Sequence, residues 1–227
     1  MRYLPLFFMF FLFQSNYGQD SLVVDDRYRE DQFYASITYN ILSNVPDDLS
    51  QDGFSTGFHL GFIRDMPFNA RRNWSVGLGI GVSSNSYNQN LIISENANEF
   101  QFSFSDETIE NIQKNKFTTY LIDFPLELRW RTSTATDYKF WRIYTGFKFS
   151  YLVYNTSKLR SSNLDNDLSS IDNFNDFQYG ITLSAGYGTW NFNVYYGLNS
   201  IFDNTVSVDN QSIDIKALKL GLIFYIL

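Results

Sequence analysis

Chemistry in this chain, if there is any, has to begin at His59, the one histidine of the sequence. A Ser–His pair with a carboxylate orienting the base is the familiar hydrolase arrangement, and Ser55 lies four residues upstream. In the alternating stretch 53–63, however, Ser55, Gly57, His59 and Gly61 share one face, and Phe54, Phe58, Leu60 and Phe62 the other. The residues FHLGF place no serine beside His59 on the apolar face, so a lipid-facing hydrolase site is not expected. With no second histidine and no cysteine, a zinc or haem site lacks its ligands. No catalytic, metal or cofactor-binding residue is therefore assigned. The other residues with chemical potential are charges. In 120–131, YLIDFPLELRWR, Asp123, Glu127 and Arg129 alternate with an apolar and aromatic face, and Arg142 and Lys148 follow on the polar face of 141–153. A connection centred near 135 would put Asp123 opposite Lys148 and Glu127 diagonal to Arg142. Such a set could act as a charge filter or a proton path. The simpler expectation is a paired network filling a narrow interior, because unpaired buried charges are costly.

Positioning these residues is the work of strands. Period-two alternation recurs over 32–42, 53–63, 73–84, 120–131, 141–153, 177–187, 190–199 and 217–226. The connections sort by length: long and polar near 43–52, 94–117, 155–176 and 201–212, short near 64–73, 132–140 and 188–190. Eight strands with alternating long loops and short turns predict an all-β fold, an eight-stranded antiparallel up-and-down transmembrane β-barrel over 32–227. A soluble barrel would put the aromatic faces inside and leave an outer surface of Gly, Ser and Tyr. Trp74, Trp130, Trp141 and Trp190 all fall beside the short turns, where an aromatic girdle belongs. Pro125 removes a ladder donor and predicts a bulge or local break in its strand. Residues 106–115, DETIENIQKN, predict a helical turn or two within a long loop.

The ends and the composition agree with export. Residues 1–18, MRYLPLFFMFFLFQSNYG, have the layout of a secretory signal peptide, and 19–31 form a charged arm expected on the periplasmic side. The 17 Lys and Arg against 24 Asp and Glu give a formal charge of −7, a poor basis for binding nucleic acid. Without cysteine there is no disulfide. After residue 18 no stretch of 18 consecutive apolar residues occurs, so no transmembrane helix is expected. The long loops are acidic, which suits solvation, a docking surface or cation-bridged contact with lipopolysaccharide. The short turns run basic, and Arg64, Arg71 and Arg72 make a candidate contact surface at the periplasmic end.

The chain resembles the PorT family of outer-membrane barrels of the Bacteroidetes. The likeness is carried by DRYRED (26–31), GFHLGFIRDMPFN (57–69), YLIDFPLELRWRTST (120–134) and KFWRIYTGFK (139–148). It continues in FQYGITLSAGYG (177–188), NVYYGLNSIF (193–202) and LKLGLIFYIL (218–227). The resemblance implies an outer-membrane protein with an accessory, non-enzymatic role in type IX protein secretion and gliding motility, and it carries over no catalytic residue. Expected partners are outer-membrane lipid, lipopolysaccharide and type IX components. A stand-alone porin-family barrel, acting as small channel, adhesin or envelope stabiliser, is the alternative.

Overall fold

The computed structural model describes residues 31–96, 99–104, 109–132, 140–208 and 211–226. The expected signal peptide, all but the last residue of the arm, and Asp137 and Lys139 of one short turn lie outside the described residues. The described residues form thirteen strands: β1 Gln32–Ser43, β2 Thr56–Pro67, β3 Trp74–Asn88, β4 Ile92–Asn96, β5 Glu99–Ser103, β6 Lys114–Arg131 and β7 Trp141–Arg160. They continue as β8 Asp165–Ser169, β9 Phe177–Tyr187, β10 Trp190–Gly197, β11 Ser207–Val208, β12 Gln211–Ser212 and β13 Lys216–Ile226.

Eight of these, β1, β2, β3, β6, β7, β9, β10 and β13, pair antiparallel with their chain neighbours, and β13 returns to pair with β1. The sheet is closed, so every barrel strand has a partner on both sides, as a lipid-embedded backbone requires. Along β6 the alternation is plain: Phe124, Leu126 and Leu128 are exposed while Asp123, Pro125, Glu127 and Arg129 are buried. Lipid thus faces the even positions of YLIDFPLELRWR, and the interior receives the odd ones. Trp74, Trp141 and Trp190 begin β3, β7 and β10, and Trp130 stands opposite Trp74 on β6. Together they ring the short-turn end.

Several boundaries differ from those expected. β2 runs on to Pro67, so Arg64 and Asp65 belong to a strand and not to a turn. β6 and β7 extend well past the 9–11 residues a membrane strand needs, because their backbones keep pairing beyond the bilayer. The helical turn expected over 106–115 is not formed in its described part: Gln113 N–H donates to Arg160 O at 2.8 Å, and β6 starts at Lys114. Cross-strand pairing satisfies these amides, which leaves a helix nothing to gain. Pro125 does interrupt the β3 ladder, which lapses opposite Gly79 and Ile80 and resumes in the same register. The register shift falls elsewhere, between Tyr120 and Leu121 against β7.

The long loops are not simply solvated. They carry the β4–β5 and β11–β12 hairpins and β8, and they close over the barrel mouth with a second core. Phe117, Phe174 and Phe202 pack ring against ring at 4.7–5.5 Å, with Tyr87, Leu91, Ile171, Ile201 and Ile215 around them, all buried.

Candidate functional site: the charged lumen

Small residues on the inner face of β3 make room for what fills the barrel. A Cβ on Gly77 would come within 2.8 Å of Arg129 Nε, and one on Gly81 would collide with the Tyr34 hydroxyl. The glycines of the polar face thus give space to long side chains arriving from neighbouring strands. Near the short turns the result is an ion cluster around Asp65. Arg131 Nη1 lies 2.8 Å from Asp65 Oδ2, Arg129 Nη1 donates to Asp65 Oδ1 at 3.4 Å, and the Ser75 hydroxyl donates to the same oxygen at 2.6 Å. Arg129 Nε also donates to Glu127 Oε2 at 3.0 Å. Its guanidinium lies 4.4 Å from the Tyr144 ring centre, an aromatic face that stabilises a cation where water is excluded.

A second set sits at mid-barrel. Lys148 Nζ is 3.6 Å from Asp123 Oδ2, the Ser150 hydroxyl donates to Asp123 Oδ1 at 2.6 Å, and His59 Nδ1 is 3.7 Å from Asp123 Oδ2. His59 Nε2 is 3.2 Å from the Thr38 hydroxyl. Lys148 and Lys219 approach the Tyr195 ring, at 4.7 and 4.9 Å from its centre. The cavity among these groups is ≈ 30 Å³, space for about two waters. His59 is buried inside the barrel, away from lipid, with a carboxylate and a threonine for neighbours.

The residues expected inside are inside: Asp123, Glu127, Arg129 and Arg142 are buried and Lys148 nearly so. Their partners differ in part. β6 and β7 pair two residues away from the expected register, with Asp123 across from Ser150 and Pro125 across from Lys148. Asp123 still meets Lys148, but diagonally. Glu127 faces Gly146 and takes Arg129, not Arg142, as its partner. Arg142 has no carboxylate within ion-pair distance among the described residues and lies over the Phe140 ring at 4.4 Å. Sequence reasoning missed Asp65, which it placed in the 64–73 connection, and it left Arg131 and Lys219 out of the network although alternation placed both inward. The usable signal was phase: Asp65 continues the odd-numbered inner face of His59 and Ile63.

Arg64 is exposed near the short-turn end of β2, on the same outer face as Leu60 and Met66. Arg71 is exposed in the following turn and Arg72 is half-buried there, with a left-handed φ of 53°. The three stand along a strand end and its turn.

The model of the outer membrane protein beta-barrel domain matches residues 14–203. The chain belongs to this outer-membrane β-barrel family. Closure, strand number and outward apolar faces are those of a protein resident in the outer membrane. Among solved structures, that of Ail, the attachment invasion locus protein of Yersinia pestis, is similar over 87% of this chain and 99% of that chain. Identity between the two is 15% and the TM-score 0.34. No curated protein sequence matches the chain.

Proposed function

We propose that this barrel is a non-enzymatic accessory component of type IX protein secretion and gliding motility, with its long loops outside and both termini in the periplasm. The observation that carries the reading is the filled interior. With an ion cluster at one end, an aromatic core at the other and a cavity of ≈ 30 Å³ between them, the described residues leave no open path for a solute or a protein. Its work must be done by surfaces. The resemblance of its strands and turns to the PorT family supports secretion as the process served, and the basic turn residues Arg71 and Arg72, with Arg64 beside them, are the surface a periplasmic component can reach.

Deleting the gene should block release of type IX cargo and spreading motility while leaving outer-membrane permeability nearly normal. Charge reversal at Arg71 and Arg72 should give a milder loss with a normally folded barrel. A deletion strain that secretes its full cargo would reject the secretion role. The remaining reading is then a stand-alone envelope barrel, which the folded loop core favours because it presents a stable surface outward. An epitope placed in 160–170 should be labelled on intact cells and one at 135–137 should not; the reverse pattern overturns the orientation.

A further inference from the structure

Lysine is rarely buried without a carboxylate beside it, and the middle of this barrel buries two lysines around one free acid. Lys148 on β7 and Lys219 on β13 point inward and approach the same Tyr195 ring, at 4.7 and 4.9 Å from its centre. Asp123 Oδ2 stands 3.6 Å from Lys148 Nζ. Lys219 is only 2% exposed, yet among the described residues it has no carboxylate within 4.0 Å. The other acid at this level, Glu127, is already held by Arg129 Nε at 3.0 Å. One positive charge is therefore left over, in a space closed at one end by ions and at the other by aromatic rings. An ion without a counter-ion is costly there.

The same two lysines line the cavity of ≈ 30 Å³, together with Ser36, Thr182, His59 and Glu127. Ser36 and Thr182 are more than nine-tenths buried, and the hydroxyl of each has no protein partner. They come from β1 and β9, the ammonium groups from β7 and β13, so donors converge on one small space from four strands. A hydroxyl can turn its O–H toward an anion, and an ammonium has only donors to offer. Water would satisfy the hydroxyls but leave the surplus charge. The volume admits a single-atom ion little larger than a water molecule and shuts out sulfate and phosphate.

We propose that this cavity is a halide site: one chloride ion held between the Lys148 and Lys219 ammonium groups, with the Ser36 and Thr182 hydroxyls donating to it. The ion supplies the negative charge that the inner network lacks, and the barrel closes around it on folding. Glu127 shares the cavity, but its charge is neutralised by Arg129, as that of Asp123 is by Lys148. The site depends neither on which way the barrel faces nor on any secretion partner.

The test is urea unfolding of the full chain in neutral detergent micelles, with sodium chloride exchanged for sodium gluconate at constant ionic strength. Gluconate is too large for the cavity. The wild type should be more stable in chloride, and once the site fills, its folding constant should rise about ten-fold for each ten-fold rise in chloride. Lys219→Met removes the surplus cation and should abolish that dependence, with heat-dependent gel migration confirming a closed barrel. Equal stability of the wild type in the two salts would overturn the site. So would a chloride dependence that survives in Lys219→Met, because the ion would then sit elsewhere. Should Lys219→Met not close, wild-type crystals grown in sodium bromide decide the matter. An anomalous-scattering peak between Lys148 and Lys219 is expected, and a cavity without one overturns the proposal.

Discussion

The two ends of the barrel exclude water by opposite means. At the short-turn end, Asp65, Glu127, Arg129 and Arg131 fill the interior with charge, and each ion is held by another ion, a hydroxyl or an aromatic face. At the long-loop end, Phe117, Phe174, Phe202 and the aliphatic residues around them do the same with apolar side chains, and buried amides such as Asn115 and Asn155 bond the backbone of Leu91 and Ile171 beside them. The difference follows from what builds each end. The charged end is made from strand residues whose inward phase is fixed by the barrel, in a space that is polar and narrow. The aromatic end is made from loop residues such as Phe174 and Phe202 folded back onto the inward-facing strand residues Tyr87 and Phe117, and together these bury apolar surface like any soluble core. A paired interior is fragile to the loss of one partner, while an apolar core loses stability in proportion to the volume removed.

This contrast can be broken at four places. The largest effect is expected for Asp65→Ala, which strips Arg129 and Arg131 of their shared carboxylate. The cost should be about 3–5 kcal/mol, read as a lower urea midpoint for unfolding of the barrel in micelles. Phe202→Ala should remove about 3 kcal/mol from the loop core but spare the barrel. Limited proteolysis should then cut the long loops faster while the heat-shifted gel band persists; a barrel that unfolds along with its loops would show the two ends to be one cooperative unit.

Lys148→Ala leaves Asp123 with Ser150 and His59 and should cost about 1–3 kcal/mol. Conductance of the purified wild type should stay small, and a large stable single-channel current would contradict the filled lumen. The smallest effect concerns the Arg160–Asp167 pair, outside the bilayer band. Hydrogen bonds from Arg160 hold the Asp167 carboxyl below its ordinary pKa. A depressed folded-state pKa gives a contribution present above the ordinary carboxylate range and lost as pH falls through the lowered value. Acidification should therefore loosen β8 from β7 before it touches the barrel. Hydrogen exchange over 165–169 should show this, and Asp167→Asn should abolish the pH dependence.

Much of this was legible because it is local. Gly77 on the inner face of β3, Trp190 opening β10 and Asp123 pointing inward each follow from period-two alternation, which needs no knowledge of the partner strand. The partners were not legible. A change of two residues in the β6–β7 register preserved every face and still gave Glu127 to Arg129 instead of Arg142. Arg64 and Asp65 were misread as turn residues because a basic, Pro-containing segment looks like a turn until its ladder to β3 is seen.

The sequence by itself determined the membrane barrel: strand number, the phase of each strand and the aromatic ring at the short turns. These depend on the solvent each side chain meets, and lipid on one face against a polar interior on the other leaves its mark residue by residue. Only the tertiary structure decided that Asp65 is the hub of the inner charges and that the polar loops hide an aromatic core. Ion pairing in the lumen depends on register across a closed sheet, and the loop core gathers Phe117, Phe174 and Phe202 from three distant segments. No local period encodes either, because both are set by which backbones meet once the barrel has closed.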